Sequence, residues 1–148
     1  MCSSDLINDR IQKYAPFSGV WSVVPTSGTG TNLGYFSSPK DVAVDTNRNL
    51  YVADYGNNRV QRMATNGSWM VFVTNGYPDR FVRQPQGLTL DVSNNLFVAD
   101  YDASTNRSRI QRFAPSGSFQ GRVGSSDSLE GGLNRPWGMT FDNGTNAT

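Results

Sequence analysis

Residues Asn49 to Met63 read "NLYVADYGNNRVQRM", and Asn95 to Phe113 read "NLFVADYDASTNRSRIQRF". Both keep Val-Ala-Asp-Tyr, and then Arg, an apolar residue, Gln and Arg, while the number of residues between the two halves changes. A segment spelled twice around a variable middle marks a repeat architecture, in which shared text builds equivalent elements and variable text forms loop. Aligned on Pro39, Pro85 and Pro136, the chain gives "SPKDVAVDTNRNLYVADYGNNRVQRMATNGSWMVFV", then "QPQGLTLDVSNNLFVADYDASTNRSRIQRFAPSGSFQGRV", then an incomplete "RPWGMTFDNGTNAT". The spacings are 46 and 51 residues, and most of the difference falls at Ala103 to Arg107, which predicts a surface loop there.

Each copy divides into short β-type runs separated by turn text. Val42 to Val44 and Leu88 to Leu90 end at Asp45 and Asp91, and an Asn-rich turn leads into Leu50 to Ala53 or Leu96 to Ala99. A polar loop precedes Arg59 to Met63 or Arg109 to Phe113, and "ATNGS" or "APSGS" precedes a last run, Trp69 to Val73 or Phe119 to Val123. Four antiparallel strands in a unit of this length make a β-propeller blade, so the expectation is an all-β propeller. No stretch shows sustained helical periodicity.

These residues resemble the NHL repeat, whose blades open on Pro-x-Gly-apolar-x-apolar-Asp and continue through Tyr-Val-Ala-Asp and Asn-Arg-apolar-Gln. "QPQGLTLDVSNNLFVAD" and "YVADYGNNRVQRM" carry the resemblance, and "NDRIQKYAP" at Asn8 to Pro16 matches the third-strand segment. Asp41 departs from the pattern where Gly87 and Gly138 keep it, which predicts a slight distortion at that point of the first full blade. The expected organisation is a part-blade over 8–37, blades over 38–83 and 84–134, and the first strand of a further blade over 135–148. That is about three blades, fewer than the four to eight that close a ring. Either two chains complete one six-bladed ring, or the chain is a piece of a longer one. The start, Met-Cys-Ser-Ser-Asp-Leu, resembles translated sequencing adapter and favours the piece.

Composition narrows function mainly by exclusion. Thirteen Lys and Arg stand against twelve Asp and Glu, a net charge of +1, which gives no strong field toward nucleic acid or an anionic membrane. No run of eighteen apolar residues is present to span a bilayer as a helix. The single Cys2 says nothing about redox compartment. Four sequons, at Asn66, Asn106, Asn143 and Asn146, lie in loop text and make N-glycans and an extracellular or cell-surface location the expectation, with the cytoplasm left open.

The absence of histidine removes Ser-His-Asp triads, Cys-His pairs and histidine-bound zinc. The amidating lyases that NHL-type propellers resemble hold metal through histidines, so the resemblance does not carry that activity here. Glu130 is the sole glutamate, and no pair of aspartates stands out for hydrolysis. Asp54 with Arg59 and Asp100 with Arg109 recur in each copy, with Asp5 and Arg10 as their equivalents, and recurrence favours a structural polar role. The Asp45–Asn49, Asp91–Asn95 and Asp142–Asn146 runs carry alternating oxygen side chains, but hairpin turns favour the same residues, so they are read as turns and no metal site is assigned.

The residues that vary at the end of the propeller where second strands stop and first strands start are Lys40, Tyr55, Asn57, Asn58, Gln86, Tyr101, Asp102 and Trp137. They form the expected ligand or partner surface, with Trp137 foremost because it breaks the repeat. The resulting expectation is a non-enzymatic interaction or structural scaffold without a cofactor, binding protein partners, including another copy of itself through exposed blade edges. The alternatives are a single-stranded RNA-binding NHL domain, which eleven arginines against two lysines would suit, and a propeller lyase or hydrolase using aspartates.

Overall fold

The computed structural model describes residues 2–5, 8–24, 28–74, 82–103, 107–123, 133, 136 and 138–140. Eleven strands fall into three antiparallel sheets. The first holds β1 (Cys2–Asp5), β2 (Arg10–Ala15) and β3 (Val20–Val23) in the order β1-β2-β3. The second holds β4 (Pro39–Val44), β5 (Leu50–Asp54), β6 (Arg59–Met63) and β7 (Trp69–Thr74) in chain order. The third repeats that meander with β8 (Pro85–Leu90), β9 (Leu96–Asp102), β10 (Arg107–Phe113) and β11 (Phe119–Val123). A single turn of 3-10 helix, Tyr55–Asn57, is the only helical element among the described residues.

Strand β5 shows why the repeat text is nearly continuously apolar. All five of its residues are buried, and they alternate between two cores. Leu50 and Val52 pack with Ile11, Val24 and Phe36 against the first sheet, while Tyr51 and Ala53 pack with Val60, Phe72, Val82, Leu88, Leu96, Val98 and Phe113 against the third. The period-2 pleat thus serves two blade interfaces at once, where a one-sided sheet would show polar residues at alternate positions. Burying each such side chain contributes about 1.5–3 kcal/mol, and edge-to-face contacts of Tyr51 on Phe72 and Phe36 on Trp69 fix the ring geometry.

The blades are close at one edge and splayed at the other. First strands β4 and β8 lie against each other, and the Leu88 amide donates across to Asp41 Oδ2 at 2.8 Å, whereas β7 and β11 make no comparable approach. The first strands therefore form the inner wall of the ring segment. The same bulge occurs in both, between Pro39 and Asp41 and between Pro85 and Gly87, so Lys40 and Gln86 are the extra residues. The distortion expected at Asp41 is not found. Neither Asp41 nor Gly87 has a positive φ, so glycine is not required for the backbone at this position.

The first sheet also holds one strand more than the sequence reading assigned to it. Cys2–Asp5 pairs with β2 in the register that puts Asp5 opposite Arg10, as Asp54 is opposite Arg59 and Asp100 opposite Arg109. Asp5 and Arg10 thus occupy the repeat-equivalent positions, and Cys2–Asp5 is a second-strand segment.

Turns between first and second strands repeat a side-chain clasp. Asp45 Oδ1 accepts from the Asn49 amide at 2.8 Å and Oδ2 from Asn49 Nδ2 at 2.7 Å; Asp91 holds Asn95 in the same way at 2.8 and 2.7 Å. Burial pulls the Asp91 carboxyl upward, but the bonds from Asn95 and Ser93 and the Arg112 guanidinium outweigh it and hold the group below its ordinary value. Both carboxylates close their own turns, as hairpin chemistry requires.

Candidate functional site

In an antiparallel four-strand meander, the loops joining second to third strands and those leading from one blade to the next lie at the same end. Here that end carries residues 28–38, 55–58 and 82–84, and two polar knots bind it together. Asp54 accepts from the Ser37 amide at 2.8 Å, from Asn57 Nδ2 at 2.9 and 3.0 Å, from Arg59 Nε at 2.7 Å and from Gln61 Nε2 at 3.2 Å. The Arg59 guanidinium then donates to the carbonyls of Thr31, Asn32 and Tyr35 at 2.7, 3.0 and 2.9 Å. The Gly34 amide donates to Gln61 Oε1, whose Nε2 returns to Tyr35 O. This arrangement docks the incoming connection from the first sheet onto the second, and it satisfies backbone groups that no ladder reaches.

The third sheet repeats the knot. Asp100 accepts from Arg109 Nε and Nη2, both at 2.9 Å, from Gln111 Nε2 at 3.1 Å and from the Arg83 amide at 3.0 Å. Asp54 and Asp100 are buried, and Arg59 and Arg109 are each only 9% exposed. Through these bonds the four residues tie loop backbone to the second and third sheets.

The residues expected at the surface separate into two groups. Asn57 belongs to the knot, since its Nδ2 also donates to Gly30 O at 2.9 Å. Asn58 closes the 3-10 turn in a left-handed conformation. Asp102 is buried and pairs with Arg83 Nη1 at 3.3 Å. At the inner wall, Lys40 lies over the Tyr55 ring with its Nζ 5.1 Å from the centroid, and Gln86 occupies the equivalent bulge one blade on, with half-buried Tyr101 at the end of the same sheet. Trp137 lies outside the described residues, as do Asn106, Asn143 and Asn146.

The group that the sequence reading did not place on this surface is Asp41. It sits beside Lys40 on the innermost strand, its Oδ1 accepting from the Val42 amide and its Oδ2 from the Leu88 amide, both at 2.8 Å. Burial pushes its pKa above the ordinary aspartate value, and the two backbone bonds only partly offset that. The signal was available in the sequence: a carboxylate stands where the other copies have Gly87 and Gly138.

The sequence profile of the NHL repeat matches residues 36–63 and 82–113, which are the second and third sheets up to their third strands, each with the approach to its first. Two of the blades are NHL repeats. Comparison with curated protein sequences gives no match. Among solved structures, the NHL blades superpose on a catalytically inactive histidine-to-alanine variant of virginiamycin B lyase from Staphylococcus aureus with quinupristin. The identity is 14%, the TM-score 0.60, and the match covers 88% of this chain and 38% of the lyase. A putative gluconolactonase matches at 23% identity and TM-score 0.53, covering 82% of this chain and 44% of that one. Regucalcin from Agrobacterium tumefaciens, described as a calcium-binding protein, matches at 16% identity and TM-score 0.54, covering 79% and 38%.

At these identities the likeness establishes the propeller fold, and the chain spans less than half the length of each of these structures. It also corrects the expectation of a non-enzymatic scaffold. The solved propellers that share this fold include a lyase and a putative lactonase, so the fold gives no ground for the non-enzymatic expectation. Among the described residues no group of three or more His, Cys, Asp or Glu side chains converges, and the carboxylates of Asp45, Asp54, Asp91 and Asp100 accept from N–H donors.

Proposed function

We propose that this chain forms part of the wall of a propeller enzyme of the lyase or hydrolase class, acting on a small molecule at the end of the ring where Lys40, Asp41, Tyr55, Gln86 and Tyr101 lie. The observation that carries this reading is Asp41, a half-buried carboxylate with a raised pKa on the innermost strand, at the one point of the opening motif where the repeat is broken by a titratable group. A carboxyl held above its ordinary value keeps its proton more readily and is better suited to exchange it with a substrate than an ordinary aspartate. The chain has no histidine, so acid–base work by its own residues would fall to carboxylates, with tyrosine and lysine beside them. Lys40, exposed beside Asp41 and held over Tyr55, would stabilise negative charge developing on a substrate oxygen.

The test is turnover of gluconolactone and of quinupristin by the 148-residue chain and by Asp41→Asn. The expected result is measurable ring opening of at least one substrate, reduced about 100-fold in the variant with circular dichroism unchanged. Turnover of neither substrate, or equal turnover by both proteins, would sink the proposal.

A further inference from the structure

Asn66 lies in the turn between β6 and β7, at the end of the blade opposite Lys40 and Asp41. The turn is closed by the Gly67 amide donating to Ala64 O and by the Ala64 amide donating to Ser68 O, both at 2.9 Å. Within it, Asn66 Oδ1 accepts from the Ser68 amide at 3.0 Å and from Ser68 Oγ at 2.7 Å. The side-chain oxygen therefore does all the local work. Asn66 is exposed, and its Nδ2 makes no hydrogen bond among the described residues.

That division of labour is unlike that of four other asparagines of the blades. Asn49, Asn57, Asn94 and Asn95 each donate Nδ2 to a protein oxygen, to Asp45, Gly30 and Asp54, Thr46, and Asp91 respectively. The third sheet builds the same turn without an amide. Ser116 stands where Asn66 does, its Oγ 2.9 Å from Ser118 Oγ, and the Gly117 amide donates to Ala114 O as Gly67 does to Ala64 O. The turn thus needs an oxygen at this position and has no use for the nitrogen.

We infer that Asn66, within Asn66-Gly67-Ser68, is an acceptor for an N-linked glycan. The donor class is an oligosaccharide joined through its anomeric carbon to a lipid pyrophosphate. Asn66 Nδ2 forms the new bond to that carbon, the bond from the carbon to pyrophosphate oxygen breaks, the lipid pyrophosphate leaves with the electron pair, and Nδ2 gives up one proton. The product keeps Oδ1, so both bonds from Ser68 survive modification, and the glycan projects into solvent away from the inner wall.

The experiment is secretion of the chain from a eukaryotic host, enzymatic glycan release in heavy-oxygen water, and peptide mapping. Release converts an occupied asparagine to a heavy-oxygen-labelled aspartate. Expected is a label at position 66 in the wild type and in Ser68→Thr, and none in Ser68→Ala or in Asn66→Ser, the residue the third sheet already uses. If the chain is retained in the cell, the same map is read on the membrane-enclosed fraction. An unlabelled Asn66 in folded protein overturns the inference. So does a label that persists in Ser68→Ala, which would report spontaneous deamidation at Asn66-Gly67.

Discussion

The buried carboxylates are where single substitutions should cost most. Asp54 receives five donated hydrogen bonds from Ser37, Asn57, Arg59 and Gln61, so Asp54→Ala leaves the Arg59 cation without its counter-charge in a dry site. Breaking one partner of such a pair costs about 3–5 kcal/mol, and Arg59→Lys should also be poorly tolerated because an ammonium cannot reach Asp54 and three carbonyls from one planar fork. Urea denaturation should show both, with a lower midpoint and an unchanged slope. The half-buried Asp41 carboxyl makes its contribution depend on pH. Its pKa is higher folded than unfolded, so its contribution to stability is complete below the ordinary aspartate value of 3.8 and is lost as pH rises through the raised folded value. Wild-type stability minus that of Asp41→Asn should therefore fall with rising pH across that window; a flat or rising difference would show that burial does not dominate at this carboxyl.

Among elements, the two turns between third and fourth strands separate backbone strain from crowding. Gly67 and Gly117 have φ of 84° and 87°, a region that costs an L-residue about 1–2 kcal/mol. A Cβ on Gly67 meets open space, while one on Gly117 would come 3.2 Å from the Phe72 carbonyl of the neighbouring blade. Gly117→Ala should consequently destabilise more than Gly67→Ala by thermal denaturation, and equal losses would mean that the blades readjust at this contact. Such comparisons also show what was legible in the sequence. The strands of the second and third sheets, their meander order and the recurring Asp–Arg pairs could be read, because alternation, turn residues and repetition are local signals. The docking of residues 28–38 could not, since its stability comes from backbone carbonyls of Thr31, Asn32 and Tyr35 meeting a guanidinium 24 or more residues away. Asp41 was seen as a departure from the repeat, but not as a site, because its environment is made by Leu88 of the next blade.

At the scale of the whole molecule, blade interfaces rather than blades are the units of stability. The second sheet shares one core with the first sheet and another with the third, and small polar ties add to the second of these. The Thr46 amide and hydroxyl donate to Asn94 Oδ1 at 3.0 and 3.1 Å, and the Leu88 amide donates to Asp41. In repeat proteins, nearest-neighbour interface terms of this kind make adjacent units unfold together. Phe72 is the side chain on which to test it, because it packs edge-to-face on Tyr51 in the core that the second and third sheets share. Phe72→Ala should cost about 3–5 kcal/mol and lower hydrogen-exchange protection in β5 and β9 by the same amount, although β9 is in the other sheet. Trp21→Ala, at a half-exposed position on the outermost strand of the first sheet, should leave both strands protected. If Phe72→Ala weakened β5 alone, the sheets would be independent folding units, and the inner wall holding Asp41 would owe nothing to its neighbour. If both weaken together, then the position of the Asp41 carboxyl, anchored on one blade and hydrogen-bonded from the next, is set by the interface, and substitutions in that core should disturb the site without touching it.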